Sequence, residues 1–210
     1  ANTITTPLQL YPPGAFANLF PEGMLGAPSK WERALRSSLN ANYVGWAGHQ
    51  VRWGIGHDIQ QIYRVKEIKN YLITSAAGFP TFLGGMVDVS STAPFLKTGT
   101  RTVNYAFVQD EWNFTRDWTL TAGLRHDHYS DFGGTTNPRL ALVWDTAQNI
   151  TTKFMFGRAF RAPSWAEQYN INNPVAQGNP NLRPETVTTL EAAVAWQVES
   201  NLQVNANVFR

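Results

Sequence analysis

Along most of this chain apolar and polar residues alternate with a period of two, whereas a helix would give a period of 3.6. From Val51 to Lys66 the odd positions are mostly apolar and the even positions mostly polar or glycine. The same alternation returns near residues 31–43, 118–125, 139–145, 153–157, 189–197 and 202–208. Between 102 and 113 both faces carry large apolar residues, so the pattern does not decide which face of this strand is the apolar one. Since successive side chains of a strand point to opposite faces, the pattern predicts an all-β, antiparallel fold with one apolar face and one polar face.

The predicted strands are joined alternately by short and long connections. Short turns fall near residues 47–48, 115–117, 146–149 and 199–201, and long connections cover about 68–100, 129–137 and 161–186. Residues 1–30, with Pro12-Pro13-Gly14 and Pro21, are predicted to be a further long loop without regular structure. Short turns at one end and long loops at the other are typical of outer-membrane barrels, whose long loops are extracellular. We therefore expect about eight strands of an antiparallel transmembrane β-barrel.

Composition narrows the classes of protein that fit. The 210 residues include no cysteine, which excludes a disulfide framework and a thiolate metal site. The net charge of +2, without a dense run of Lys or Arg, argues against nucleic acid as a partner. No secretory signal is recognisable, and no window approaches the ~20 apolar residues of a membrane helix, although a membrane-crossing strand needs only ~9–11. The sequence stops inside an apparent strand, residues 207–210, and we expect it to be part of a longer protein.

Tryptophans mark one end of the predicted strands. The chain has eight of them, and those within a few residues of the short turns include Trp112, Trp118, Trp144 and Trp196. An indole suits the membrane–water boundary because its ring prefers apolar contact while its N–H stays in the wet headgroup layer. We expect these four to be membrane-interface aromatics, with outer-membrane lipid as their partner. Leu120, Leu124, Leu142, Phe154, Val194 and Trp196 are expected to face that lipid.

Two short motifs flank the third long connection. The first is Phe160-Arg161-Ala162-Pro163-Ser164, and the second is Gly178-Asn179-Pro180-Asn181-Leu182-Arg183-Pro184-Glu185. Because proline lacks an amide hydrogen, Pro163 and Pro184 mark where strand pairing ends and restarts. In this order and at this separation the pair resembles a signature of TonB-dependent outer-membrane receptors. The segments 105–112 and 120–127 also resemble that family, and the likeness covers roughly residues 31–210.

The resemblance carries expectations about the whole protein. It implies a 22-stranded barrel with an N-terminal plug domain, of which residues 1–210 would be a partial barrel domain with the plug absent. It also implies a receptor in the outer membrane of a Gram-negative type of cell, without a cofactor. Its partners would be its own plug domain and the TonB–ExbB–ExbD complex. TonB-energised import of a scarce nutrient is the expected activity; a ferric siderophore is favoured, with cobalamin, haem and oligosaccharides as further ligands of the family.

Two hypotheses from other classes stay open. One is a passive, porin-like or structural outer-membrane barrel, which a plug domain upstream would reject. The other is an outer-membrane enzyme such as a lipase or protease, for which only the cluster around His126 and His128 could serve. We expect no enzyme, no catalytic residue and no metal site, because these histidines fit a wet strand end better than a ligand pair.

Candidate ligand contacts lie in the third long connection. Arg161 could donate two hydrogen bonds to a carboxylate or catecholate, and Trp165 and Tyr169 offer flat apolar area. The competing interpretation is that Phe160, Arg161, Pro163 and Glu185 only hold the loop base together. Since hairpin neighbours pair, Arg161 is expected to meet Glu185 or Glu167. The polar face, expected to line the lumen and contact the plug, carries Arg125, Asp127, Arg139, Asp145, Lys153 and Glu191.

Overall fold

The structure is a computed structural model that describes residues 2–3, 8–11, 19–73, 80–173 and 176–210. In this part of the chain there are eleven strands and one short helix, α1, at Trp165–Tyr169. The strands are β1 (Asn2–Thr3), β2 (Leu8–Tyr11), β3 (Met24–Tyr43), β4 (His49–Ile73), β5 (Pro80–Asp88), β6 (Gly99–Thr115), β7 (Trp118–Tyr129), β8 (Gly133–Ala147), β9 (Ile150–Arg161), β10 (Glu185–Glu199) and β11 (Leu202–Phe209). No helix among the described residues is long and apolar enough to cross a membrane.

All these strands belong to one sheet. Its order is β1-β3-β4-β6-β7-β8-β9-β10-β11, with β2 paired to β3 and β5 paired to β4. From β6 to β11 each strand pairs antiparallel with the next one in sequence. The path from β3 to β11 contains eight strands. The predicted antiparallel all-β fold is therefore confirmed, including the strands over residues 118–126 and 188–197.

The structure settles which face of β6 is apolar. Val108 pairs with Leu124 and Trp112 with Leu120, so Ala106, Val108 and Trp112 share the apolar face. Tyr105 and Phe107 point to the polar face, where Gly54 and Gly56 of β4 leave room for them. A Cβ atom at Gly54 would collide with the Phe107 ring, and one at Gly56 with the Tyr105 ring. Glycine is thus required here by the close approach of an aromatic side chain.

The apolar face is turned outward rather than into a core. Leu124, Phe154, Val194 and Trp196 are all exposed, while Leu120 and Leu142 are half-buried. Leu120, Leu142 and Phe154 form a cross-strand row, since Leu142 pairs with both of the others. No second sheet covers this face among the described strands. The predicted exposure of this face is confirmed for the four exposed residues, and an uncovered apolar face is what a lipid-facing wall requires.

Two strands extend further than their alternation suggested. β3 begins at Met24, inside the segment expected to be loop, and β1 and β2 also lie in that segment. Pro12-Pro13-Gly14 lies outside the described residues. β4 continues to Ile73, where Lys69, Asn70 and Tyr71 are buried in succession. A strand covered on both faces loses its alternation, which explains why this end of β4 carried no period-two signal.

The predicted long connection at 129–137 is wrong. β7 runs to Tyr129 and β8 starts at Gly133, so residues 130–132 are the whole connection. Gly133 has a φ of 88°, a backbone conformation that favours glycine at such a turn. Pro138 lies within β8, one residue before the β8–β9 pairs begin at Arg139. On that side its missing N–H costs no ladder bond.

The chain folds as two compact units. One consists of Ala1–Leu35, Ile59–Arg101 and Pro163–Leu182, and the other of Arg36–Asp58, Thr102–Ala162 and Arg183–Arg210. The first unit has a small core of Phe20, Met24 and Tyr71, with Ile73 packed against it. The second unit contains most of β6–β11 with their outward apolar face.

Candidate functional site

The third long connection starts and ends at an ion pair. Arg161 at the end of β9 lies directly opposite Glu185 at the start of β10. Arg161 Nε donates to Glu185 Oε2 at 3.0 Å, and Nη2 donates to Oε1 at 2.8 Å. The predicted pairing of Arg161 with Glu185 is confirmed, while Glu167 has another role. Because the two side chains are 53% and 71% exposed, the pair stabilises the loop base by only ~0–1 kcal/mol.

An aromatic cluster supports the same base. Phe160 meets Tyr129 edge-on, with ring centroids 6.0 Å apart, and Tyr129 stacks on Phe132 at 4.3 Å. Phe160 therefore packs between strand ends.

Helix α1 begins directly after the first motif. Ser164 is its N-cap and accepts from Glu167 N at 3.2 Å, while Glu167 Oε2 accepts from Ser164 N at 2.7 Å. This reciprocal capping box satisfies two amides that the first turn leaves free. The Ser-x-x-Glu spacing is readable in the sequence, although we predicted no helix here.

Arg101 and Trp165 fix α1 to the end of the second long connection. Arg101 is buried; its Nη1 donates to Pro163 O at 3.0 Å and its Nη2 to Gln168 Oε1. Its guanidinium lies 5.7 Å from the centroid of the Trp165 ring. Trp165 Nε1 donates to Lys97 O at 2.8 Å, and a Cβ at Gly99 would come within 2.8 Å of the indole. Neither Arg101 nor Gly99 was identified from the sequence, because both lie more than sixty residues from α1.

The second motif folds back onto α1. Asn179 N donates to Glu167 O at 2.9 Å, and Gly178 N donates to Asn170 O at 2.8 Å. A Cβ at Gly178 would lie 2.6 Å from Gln168 O, so only glycine allows this close approach. Leu182 N donates to Asn179 O at 3.1 Å, closing the turn at Pro180. The motif Gly178–Leu182 thus has a structural role in seating the helix.

Backbone bonds join the two long connections directly. Lys97 N donates to Tyr169 O at 3.1 Å and Ile171 N donates to Phe95 O at 2.7 Å, on either side of a bridge between Leu96 and Asn170. We call residues 89–101 together with 163–173 and 176–182 the loop platform. It is a single folded layer made from two connections that are distant in the sequence.

Two buried ionisable side chains of β4 lie beneath the platform. Lys69 Nζ donates to Ala93 O at 3.1 Å and to Asn172 O at 3.4 Å, and so touches both connections. Glu67 is 3% exposed, and its Oε2 has no hydrogen-bond partner among the described residues. Burial raises the pKa of Glu67 to about 7, although Lys69 opposes the shift. Burial likewise lowers the pKa of Lys69, opposed by Glu67. A membrane-crossing strand needs only ~9–11 residues from the short turn. Glu67 and Lys69 lie ten or more residues beyond His57 of β4, so both are outside the membrane-crossing segment.

Two of the candidate ligand residues, Trp165 and Tyr169, lie in the platform, and Arg161 lies just before it at the end of β9. The Trp165 indole is half-buried and packs on Tyr169, with ring centroids 4.5 Å apart. Arg161 is engaged with Glu185. Contact of Arg161, Trp165 or Tyr169 with a ligand stays a prediction.

The tryptophans near the short turns form an aromatic ladder. Trp118 and Trp144 are cross-strand partners with rings stacked 4.9 Å apart, and Trp112 stacks on His49 at 5.2 Å. Phe114 lies between them, 5.2 Å from Trp112 and 6.2 Å from Trp118. Trp196 is exposed on the same outward face, opposite Val204. Such a ladder at strand ends matches the aromatic girdle of membrane barrels.

The polar face carries a half-buried ion pair. Arg125 Nη2 donates to Asp127 Oδ1 at 2.7 Å, and its guanidinium lies 4.1 Å from the centroid of the Tyr105 ring. Asp127 is 2% exposed. His126 and His128 lie on the other face of the same strand. Within the described residues, no group of three or more His, Cys, Asp or Glu side chains is placed to hold a metal ion.

Comparisons with known proteins identify the family. A family model described as "TonB dependent receptor-like, beta-barrel" matches residues 8–210. The iron-regulated outer membrane virulence protein of Vibrio cholerae is 31% identical over 110 residues, which are 49% of this chain and 17% of that protein. The vitamin B12 transporter of Vibrio cholerae is 29% identical over 134 residues, 60% of this chain and 20% of that protein.

Solved structures agree on the fold. A ferric enterobactin receptor mutant of Pseudomonas aeruginosa, solved in complex with enterobactin, superposes with a TM-score of 0.58 at 17% identity. The match covers 88% of this chain and 27% of that receptor. The chain thus spans about a fifth of the length of the curated relatives it matches.

Proposed function

The chain belongs to the β-barrel domain family of TonB-dependent receptors of the outer membrane, and we propose that the complete protein imports a ferric siderophore with energy delivered through TonB. The family consists of transport receptors, so the enzyme hypothesis is dropped. An N-terminal plug domain in the lumen and the TonB–ExbB–ExbD complex are the partners we propose for the complete protein.

One observation carries the proposal: the loop platform. A surface that is ordered before the ligand arrives binds the ligand more tightly, because ordering loops on binding costs affinity. The bonds of Arg101, Lys69 and Trp165 order the platform without a ligand. The half-exposed rings of Trp165 and Tyr169 offer flat apolar area suited to a planar catecholate.

Two relatives guide the choice of ligand. The virulence protein is iron-regulated by name, and the superposed solved receptor carries enterobactin. The vitamin B12 transporter makes cobalamin the first alternative. A passive barrel is the remaining competitor, and nothing on the platform favours it.

Uptake of labelled ligands tests the proposal. The complete receptor would be expressed in a host without its own siderophore and cobalamin receptors, and offered ferric enterobactin, cyanocobalamin or haem. We expect iron uptake from ferric enterobactin that stops when TonB is deleted. Uptake that persists without TonB would support the passive barrel, and uptake of cyanocobalamin alone would replace the siderophore.

Substitutions at Trp165, Tyr169 and Arg161 test the candidate contacts. Trp165→Ala or Tyr169→Ala should weaken uptake without reducing the amount of receptor in the outer membrane. Gln177→Ala, an exposed change in the same connection, is the control. Arg161→Ala should lower the amount of folded receptor at least as much as uptake per receptor. Loss of ligand binding at an undiminished receptor level would assign Arg161 to the ligand site instead.

A further inference from the structure

Two arginines and two aromatic residues contact each other reciprocally across β3 and β4. The Arg33 guanidinium of β3 lies 5.7 Å from the centroid of the Tyr63 ring of β4. In return, the Arg64 guanidinium of β4 lies 4.6 Å from the centroid of the Trp31 ring of β3. Trp31 and Arg33 are two residues apart on one strand, so their side chains are neighbours on one face. We call these four residues, together with Gln61, the arginine–aromatic cluster.

Arg33 lies on the outward face of β3. Asn40 shares the polar face with Phe107, because a Cβ atom at Gly54 would collide with both of their side chains. Since side chains alternate along a strand, the odd positions of β3 face outward, and Leu35 among them is exposed. Arg33 is the odd position before Leu35 and is itself exposed. Its charge is therefore presented on the same face as the apolar residues of the wall.

Arg33 also lies where β3 leaves the membrane. At the other end of the strand Tyr43 meets Trp46 edge-on, with ring centroids 5.3 Å apart, and Trp46 lies 6.3 Å from His49 of the aromatic ladder. Arg33 comes ~10 positions before Tyr43, and a membrane-crossing strand has ~9–11 residues. The long connections at this end are extracellular in such barrels. The molecule that borders Arg33 is consequently a lipid headgroup of the outer leaflet.

The Arg33 guanidinium is held by one of its three nitrogens. Nε donates to Gln61 Oε1 at 2.7 Å, whereas the two terminal nitrogens have no hydrogen-bond acceptor among the described residues. The adjacent acid, Glu32, is bonded to Lys30 at 2.9 Å, and by alternation both lie on the polar face. A guanidinium fixed in this way keeps two donor groups that can bind the oxygens of one phosphate.

The charge of Arg33 is not offset by a nearby acid. In the described part of the chain, neither Arg33 nor Arg64 forms an ion pair with a carboxylate. Asp88 of β5 interacts electrostatically with Arg64 and Lys66, but its carboxylate is bonded to Ser90 N at 3.0 Å. The cluster therefore keeps a positive charge, which is largest at Arg33.

We propose that Arg33, assisted by Arg64, binds the phosphate of an outer-leaflet lipid. Charge complementarity favours this ligand, because both cations are permanent and no acid of the chain neutralises Arg33. The rings of Trp31 and Tyr63 suit the same boundary, since each offers an apolar body to the lipid and a polar group to the headgroup layer. This inference uses the outer-membrane location and does not depend on which nutrient is imported.

The test compares two lipids that differ only in their phosphate. The purified complete receptor would be equilibrated in detergent micelles with phosphatidic acid or with diacylglycerol of the same acyl chains, and bound lipid would be counted by native mass spectrometry. We expect phosphatidic acid to be retained in preference to diacylglycerol. Arg33→Gln should lower its retention about fivefold, and the double variant Arg33→Gln, Arg64→Gln about 25-fold, from about fivefold for each basic residue near a lipid surface.

Arg36 supplies a matched control on the same strand. It faces the polar side, where its Nε lies 3.7 Å from Asp58 Oδ2, so Arg36→Gln should keep the retention of phosphatidic acid. Mobility of unheated samples on gels would verify that each variant is folded. Wild-type retention in the folded double variant, an equal loss in Arg36→Gln, or equal retention of diacylglycerol would each overturn the proposal. Displacement of phosphatidic acid by an equal concentration of inorganic phosphate would overturn it too, because the site would then bind the free ion.

Discussion

Replacing Arg101 tests whether its side chain holds the two connections of the loop platform together. Arg101 is 5% exposed, and its guanidinium donates to two acceptors, Pro163 O and Gln168 Oε1. Arg101→Met keeps much of the apolar volume but leaves both acceptors without this donor. A buried acceptor that loses its partner costs about 1–3 kcal/mol, giving about 2–6 kcal/mol for two. Since Gln168 can rotate to a new partner, we expect about 2–4 kcal/mol.

That loss should appear as faster local opening of the platform. Each 1.4 kcal/mol is a factor of ten in an equilibrium constant, so exchange should accelerate about 30- to 1,000-fold. The reporting amides are those of Lys97, Ile171 and Asn179, which bond across the platform. Hydrogen exchange followed by mass spectrometry on the complete receptor measures them, and amides of β7 and β8 should stay unchanged.

Two further variants sharpen the result. Arg101→Lys can keep one of the two bonds, and exchange should accelerate about 5- to 30-fold, from about 1–2 kcal/mol. Arg183→Met makes the same replacement at an exposed position of the third long connection and should leave exchange unaltered. If Arg101→Met gives folded receptor with wild-type exchange across the platform, Arg101 does not hold it and the reasoning is refuted.

Three other perturbations have definite expected outcomes. Leu142→Arg should destabilise the barrel by ~2–4 kcal/mol in denaturant titration, because it places a charge in the outward apolar row, whereas the same change at Gln148 in the short turn should cost little. A double-mutant cycle on Arg161 and Glu185 should give a coupling free energy below ~1 kcal/mol. A larger value would mean that this ion pair stabilises the loop base more than its exposure predicts. For Glu67 the folded pKa of about 7 exceeds the ordinary 4.5, so the folded state binds more protons between these values and stability falls as pH rises from about 4.5 through 7. Glu67→Gln should remove that fall from denaturation midpoints at pH 5 and 8, and an unchanged pH profile would exclude Glu67 as its source.

Periodicity predicted the wall of the barrel because one face of each strand meets lipid and the other does not. Leu120, Leu142 and Phe154 keep strict alternation, and the structure pairs them in one outward row. Alternation failed where a strand is covered on both faces, as around Lys69 and Tyr71. It also left β6 undecided, since Phe107 fits the polar face only through the missing side chain of Gly54 on a neighbouring strand.

The candidate site was predictable only at its borders. Arg161 and Glu185 follow from motif and hairpin logic, because the two residues end strands that must pair. Ser164 and Glu167 have the spacing of a capping box, but Pro163 beside them was interpreted only as the end of a strand. The bonds of Arg101 to Gln168 and of Lys69 to Asn172 span 67 and 103 residues, and no local pattern encodes such pairs.

The contact between Lys69 and Asn172, which are far apart in the sequence, also predicts an order of assembly. Its contact with Asn172 closes a loop of 103 residues, and the chain in between contains the hairpins of β6 to β9. Neighbouring strands of a meander can associate one hairpin at a time with little chain entropy to overcome, whereas a long loop closes late unless its interior is already organised. The platform should consequently form only after the intervening hairpins are in place. Protease resistance of residues 163–182 would then mark the maturation of the receptor, appearing later than resistance of the wall.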